Sequence, residues 1–208
     1  MKPFVITVSR QFASMGHAIA KKVAQELGID FYDRDVVEEA ARRTGLAPNS
    51  ISRTDETAAS HSFFLKKTKL FNINSYTISQ QIYEIEKNII LDFAGRGSCV
   101  IVGRCAESIL KDRENVLRVY IYAPHAIRMK NCTEYLQMTR KEAETKIRSI
   151  DLARANYRKL HCPECITEFD ERDLMIDSSK FGIEGSAQLI IDALTNRIKD
   201  LNFPEGSS

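Results

Sequence analysis

No apolar run in this chain of 208 residues approaches the roughly 20 residues that a membrane-spanning helix requires. Charge of one sign is also scarce. Thirty basic side chains face 28 acidic ones, a formal charge of +2, too small an excess to argue for a nucleic-acid or membrane surface. No leader is expected either: Met1-Lys2-Pro3 runs almost at once into an apolar strand, so a cytoplasmic protein is expected. The five cysteines (Cys99, Cys105, Cys132, Cys162, Cys165) are an odd number in a chain that can build a core without staples. Reduced thiols are therefore expected rather than a disulfide framework. Cys162-Pro163-Glu164-Cys165 lacks the second pair that a structural zinc site needs, and no metal site is expected there; His161 and Cys132 are the groups nearest to completing one.

What is present is a regular alternation of short apolar runs and amphipathic segments. Phe4 to Val8, Cys99 to Val102, Leu117 to Tyr122 and Asp173 to Asp177 read as strands, with Ile29 to Tyr32 a shorter one. Continuous apolarity, as in Cys99-Val100-Ile101-Val102, suits a strand buried on both faces of a parallel sheet. Between them, Ile19, Val23 and Leu27 recur on one helical face that stops at Gly28. Asp33 is placed to cap a helix carrying Val36, Val37, Ala40 and Ala41, which Thr44-Gly45 closes. Ile78, Ile82, Ile85, Ile89 and Phe93 stripe a long helix, and Leu189, Ile190, Ala193, Leu194 and Ile198 mark the last one. Thr139 and Glu142 form a capping box that opens another long helix. Pro48 to Asn74 lacks a sustained period and reads as an insertion with a short helix around Phe63 to Leu70. The pattern predicts a doubly wound α/β domain, in which ligands bind beyond the carboxyl ends of the strands.

Three places therefore carry the functional reading. The first is Ser9 to Ala18, a strand, a tight turn of small residues and a helix start, which aims free N–H groups and the positive helix end at one spot suited to an anion. It lacks the lysine and following hydroxyl of the phosphate-loop signature, offering Gly16, His17 and Ala18 instead. The alternative, an ordinary strand-turn-helix, stays open on the residues alone. Second are the residues just after the other strands: Asp33-Arg34, Gly103-Arg104 and Asp177-Ser178-Ser179. Third is Arg140 to Lys159, with seven basic residues against three acidic ones, a concentration that suits a phosphate partner or a solvated face laced with ion pairs.

With these residues in view, the sequence resembles the cytidylate kinase-like family of phosphate-loop nucleoside monophosphate kinases. The resemblance is carried by Ser9-Arg10-Gln11-Phe12, Phe31-Tyr32-Asp33-Arg34, Val100 to Arg104, Lys146 to Tyr157 and Asp173 to Ser179. It implies an α/β three-layer phosphate-loop NTPase fold with a five-stranded parallel sheet and a helical lid. One domain would span 1–208, with a helical insertion at about 48–95 and the lid at about 136–168. It also implies ATP as donor, Mg2+ on its phosphates and a nucleoside monophosphate as acceptor, with no nucleic-acid or membrane partner. By the same resemblance, Ala13, Ser14, Met15, Gly16 and His17 wrap the donor phosphates. Asp33, Arg34, Arg104 and Asp177 face the acceptor, and Arg148, Asp151 and Arg154 are the lid's charged catalytic groups. The chain departs from the family pattern at the missing lysine, at Met15 where a glycine is usual, and at Cys105 where aspartate is usual. A nucleotide-binding sensor or interaction protein on the same fold is the alternative function. Arg148 and Arg154, six residues apart, point about 120 degrees away from each other on a regular helix, so a bend near Asp151 is expected if both reach one ligand.

Overall fold

Valine, isoleucine and threonine fill Val5 to Val8, and every one of these side chains is buried, which puts this strand, β1 (Val5–Arg10), at the centre of the molecule. The computed structural model describes residues 3–45, 72–167 and 169–197. Its elements run α1 (Gly16–Leu27), β2 (Asp30–Tyr32), α2 (Asp35–Thr44), α3 (Asn72–Arg96), β3 (Cys99–Val102), α4 (Ala106–Ile109), β4 (Val116–Tyr122), α5 (His125–Glu134), α6 (Arg140–His161), β5 (Leu174–Asp177) and α7 (Ser178–Arg197). Side chains of α3 are described from Gln80 onward. The expected short helix at Phe63 to Leu70 and the insertion's first part lie outside the described residues.

The five strands are ordered β2-β3-β1-β4-β5, and each pairing is parallel. Val5 pairs with Cys99 on one side and Val116 on the other, Val8 with Val102 and Val119. Alternate residues then serve opposite faces. Ile6, Val8, Val100, Val102, Val119 and Ile121 pack against Ile19 and Val23 of α1 and Ile190 and Leu194 of α7. Val5, Cys99, Ile101 and Val116 meet Val36 of α2, and Ile82, Ile89 and Phe93 of α3. Helices thus cover both faces in three layers. Each fully buried isoleucine or valine contributes about 1.5–3 kcal/mol relative to exposure.

Local signals set the boundaries. Gly28 and Gly45 end α1 and α2 in the left-handed conformation, with φ of 61° and 70°. The Thr139 hydroxyl accepts from the Glu142 amide while the Glu142 carboxylate accepts from the Thr139 amide, completing the capping box of α6. Residue Gly182, with φ 64° and ψ −167°, breaks the last helical segment near its start. Three expectations need correction. Asp33 does not cap α2, whose first residue is preceded by Arg34 with no side-chain cap, because the Asp33 carboxylate is drawn to Arg10 and His17, described below. Helix α6 runs from Arg140 to His161 without the bend expected near Asp151. Cys162 and Cys165 are joined as a disulfide, not reduced: the Cys165 amide donates to the Cys162 carbonyl (3.0 Å), a turn that holds the two Cα atoms 5.4 Å apart. Cys99, Cys105 and Cys132 are buried thiols. Among the described residues no helix is long and apolar enough to cross a membrane, and no cluster of ligating side chains could hold a metal ion.

Candidate functional site

The carboxyl ends of β1 and β3 and the amino end of α1 meet at the turn Arg10 to His17. Its backbone is unusual for its residues. Ala13 and Met15 sit at φ 59° and 62°, a left-handed conformation that costs a side-chain-bearing residue about 1–2 kcal/mol. Strain of this kind persists where surroundings over-determine it, and here they do. The Ser14 hydroxyl donates inward to the carbonyls of Gln11 (2.9 Å) and Ile121 (3.1 Å), and Ser178 donates to the Ser14 carbonyl (2.7 Å). Asn131 donates to the Ala13 carbonyl (2.8 Å) and Arg128 to that of Phe12 (3.2 Å), both from α5. From α6, one Asp151 oxygen accepts the Phe12 amide (2.7 Å) and the other takes the Arg128 guanidinium, while Arg154 donates to the Arg10 carbonyl (2.9 Å).

Carbonyls of this turn are therefore well satisfied, and its amides beyond Phe12 are not. Ile19 is the first residue of the helix start whose N–H finds a backbone acceptor, the Met15 carbonyl at 3.0 Å. From Ala13 to Ala18 no backbone N–H donates to a protein acceptor among the described residues, and Met15 supplies no side-chain cap. Such a row of donors, on the positive end of a helix dipole, suits a polyanion.

Cations crowd the same spot. Arg10, its side chain 19% exposed, is packed between Gly16 and Gly103: a Cβ on Gly16 would lie 2.6 Å from the Arg10 Cβ, and one on Gly103 would collide with the guanidinium. Burial lowers the Arg10 pKa, the Asp33 carboxylate at 3.4 Å opposes this, and the nearby Arg104 lowers it further. Arg154 is lowered to about 10, by burial first and then by Arg10. Both stay cationic at neutral pH. The other Asp33 oxygen lies 2.6 Å from Nδ1 of the half-exposed His17.

Beyond Arg104 lies a buried polar cluster. Gly103, Arg104 and Cys105 take positive φ in succession, 81°, 58° and 53°, turning Arg104 toward α3. There Glu86, fully buried, sets one carboxylate oxygen 3.2 Å from Arg104 Nη1 without the alignment of a hydrogen bond, and accepts the Tyr157 hydroxyl on the other (2.7 Å). Burial pushes Glu86 up to about 7, against the Tyr157 hydrogen bond. His161 stacks on Tyr83 (3.9 Å between centroids) and touches Tyr157; its Nε2 has no partner, and burial and then Arg104 lower its pKa to about 4. Glu107, also buried, pairs with Arg158 at 2.9 Å.

The residues singled out from sequence thus fall into groups. Ala13 to His17 form the amide row. Asp33, Arg104 and Arg154 gather around Arg10, while Asp151 and Arg154 bond to the turn's backbone. Arg148 is exposed on α6 and makes no hydrogen bond or ion pair among the described residues, and Arg34 is exposed at the start of α2. Asp177 accepts the Ser179 amide (3.0 Å) and hydroxyl (2.6 Å) at the start of α7. Arg10, Arg128, Asn131 and Glu86 were not singled out. For Glu86 a signal existed, since it stands on the apolar stripe of α3 between Ile82 and Ile89, where a charge needs a reason.

Solved structures place the fold. A protein described as uncharacterized from Eubacterium ventriosum superposes with a TM-score of 0.69 at 24% identity, over 92% of this chain and 98% of its own. A gluconokinase from Sinorhizobium meliloti gives 0.54 at 9%, over 97% of each chain, and a shikimate kinase from Bacteroides thetaiotaomicron 0.52 at 13%, over 92% and 98%. At these identities the likeness is one of fold, the phosphate-loop kinase fold with its five parallel strands. A search of curated proteins returns no match. The sequence profile of the cytidylate kinase-like family matches residues 5–180, most of the chain and every strand, so the chain belongs to the cytidylate kinase-like family.

Proposed function

We propose that the chain binds ATP at the turn before α1 and transfers its terminal phosphoryl group to a nucleoside monophosphate, with cytidine monophosphate the first acceptor to try. The observation that carries this reading is the row of unpartnered amides from Ala13 to Ala18, with Arg10, Arg104 and Arg154 around it. Phosphoryl transfer spreads charge over the transferred group, so fixed amides and cations supply most of what the reaction needs. In this reading the amides wrap the donor phosphates, and Arg154 adds charge close to them. Arg104 and Asp33 lie on the acceptor side, with Arg34 and Asp177 at its margins. Residues 136–168 act as the lid, Asp151 and Arg154 steadying the turn and Arg148 reaching the phosphates on closure. Mg2+ would arrive on the nucleotide: Ala18 stands where a ligating hydroxyl is expected, the Ser14 hydroxyl is turned inward, and the two carboxylates at the turn, Asp33 and Asp151, are held by Arg10 with His17 and by Arg128 with the Phe12 amide. When bound, the ion would supply positive charge that offsets the negative charge of the donor phosphates.

A second reading is a nucleotide-binding sensor without turnover. It is favoured by the missing lysine, whose long, flexible ammonium arm the imidazole of His17 does not reproduce. An ADP-release assay over a panel of nucleoside monophosphates, run beside calorimetric ATP binding, separates the two. Turnover with one acceptor supports the kinase. ATP binding with no turnover of any acceptor supports the sensor, and absence of both removes the nucleotide site from consideration. Lysine placed at Gly16 or at His17 tests register, since only the position that faces the phosphates should raise ATP affinity.

A further inference from the structure

The cluster around Glu86 is not needed to bind a triphosphate, yet it places a full carboxylate at the guanidinium that the kinase reading gives to the acceptor. Burying a carboxylate is costly without close partners. Glu86 has two. Tyr157 reaches it from α6 at 2.7 Å and Arg104 from the turn after β3 at 3.2 Å. That turn holds two side-chain-bearing residues, Arg104 and Cys105, in the left-handed region, and such strain gathers where function requires a side chain to be aimed. The other ionisable groups facing this pocket are His161 on α6, Tyr83 on α3, and Cys105 with Glu107 after β3.

We propose that Glu86 is an internal occupant of the acceptor's anion site: its carboxylate neutralises Arg104 until an acceptor phosphate replaces it, and Glu86 then takes one proton from solvent. The proposal rests on the kinase reading above and deepens it, making Glu86 a specificity-determining residue that admits acceptors carrying an anionic group. Chemically the exchange balances. A dianionic phosphomonoester enters beside Arg104, and the displaced carboxylate, unable to remain charged next to it in a dry pocket, becomes a neutral acid that still accepts the Tyr157 hydroxyl. A Glu86 pKa already raised to about 7 makes that protonation inexpensive.

The experiment is calorimetric titration of the protein with cytidine monophosphate at pH 8, in two buffers of different ionisation enthalpy. At that pH the phosphomonoester is already dianionic, its second pKa being about 6, and brings no proton change of its own. The wild type should take up about one proton per ligand bound. Glu86→Gln, which keeps an acceptor for Tyr157, should take up none and bind cytidine monophosphate about tenfold more tightly, while its affinity for cytidine stays unchanged. Tyr157→Phe, which removes the hydrogen bond favouring the ionised form, should lower the uptake, and it carries the test if Glu86→Gln fails to fold. Uptake that persists in Glu86→Gln assigns the proton to His161 or another group and overturns the proposal. So does weaker binding in that variant, which would make Glu86 a direct ligand of the acceptor. If ATP binds but cytidine monophosphate binds neither wild type nor variant, the proposal fails and the nucleotide site stands; if ATP also fails to bind, the kinase reading falls with it.

Discussion

Replacing Asp151 by alanine tests what α6 does for the turn below it. The carboxylate accepts the Phe12 amide at 2.7 Å and pairs with Arg128, which is only 8% exposed. A hydrogen bond between a charged group and a backbone amide is worth about 1.5–3 kcal/mol, and removing one partner of a buried ion pair about 3–5 kcal/mol. These two costs overlap. Arg128 retains the Phe12 carbonyl at 3.2 Å, and the Asp151 side chain is 27% exposed, so water recovers part of the loss. A destabilisation of about 2–4 kcal/mol is expected, which in a chain of 208 residues lowers Tm by roughly 5–15 °C. Urea unfolding and thermal melting measure it. Arg148→Ala, three residues away on the exposed side of α6, is the control and should stay within about 0.5 kcal/mol of wild type. Asp151→Asn should fall between them, keeping an oxygen for the Phe12 amide and losing the charge opposite Arg128. An Asp151→Ala protein as stable as Arg148→Ala would refute the clamp and leave Asp151 free for a purely chemical role.

Three more expectations follow from other parts of the structure. Ala13→Gly should leave stability unchanged or raise it by up to about 1.5 kcal/mol, since relief of about 1–2 kcal/mol of left-handed strain is offset by about 0.5–1 kcal/mol of glycine's unfolded-state entropy; Met15→Gly should gain less, because Met15 also packs on the core, and urea midpoints rank the two. His161→Phe should flatten the acid side of the stability profile: a histidine held at about 4 instead of the ordinary 6.5 costs the native state progressively as pH falls from 6.5 to 4, by roughly 3 kcal/mol in all. The comparison must be variant against wild type, since Glu86, raised to about 7, acts in the opposite sense as pH falls from 7 toward 4.5. Dithiothreitol should lower the unfolding free energy by about 2 kcal/mol, the loop-entropy value for so short a ring, and Cys165→Ser should make the protein indifferent to reductant.

Strands and caps were legible in the sequence because they depend on neighbours in the chain. A parallel strand covered on both faces must be apolar at consecutive positions, as Cys99 to Val102 is, and Gly28, Gly45 and the Thr139–Glu142 box act within one helical turn. Contacts that cross the fold left no such trace. Asp151 and Arg154 reach partners 139 and 144 residues away, so nothing local distinguishes a residue that bonds the turn from one, like Arg148, that faces water. Asp33 has the right type and place for a cap, but Arg10, at the end of β1 two strands away, claims it, and a largely desolvated cation outweighs a cap worth about 1 kcal/mol. The disulfide was misjudged from composition, since an odd cysteine count says little about two that share one tight turn.

The place of β1 in the strand order bears on how the chain reaches its native state during synthesis. Of the five strands of this sheet, the first to leave the ribosome is the middle one, and its partners are Cys99 to Val102 on one side and Val116 to Ile121 on the other. At roughly 5–20 residues per second, about 5–20 seconds pass between the emergence of β1 and that of β4. Until Cys99 to Val102 follow, Val5, Ile6 and Val8 have no partner strand, and throughout the interval α1 lacks Ile190 and Leu194 of α7, which pack against it. Parallel pairings this distant in sequence also close slowly, because their loop entropy is lost before any contact repays it. A nascent chain stalled before residue 116 should therefore be captured by chaperones that bind short apolar segments, and one released after Asp177, with all five strands available, should not.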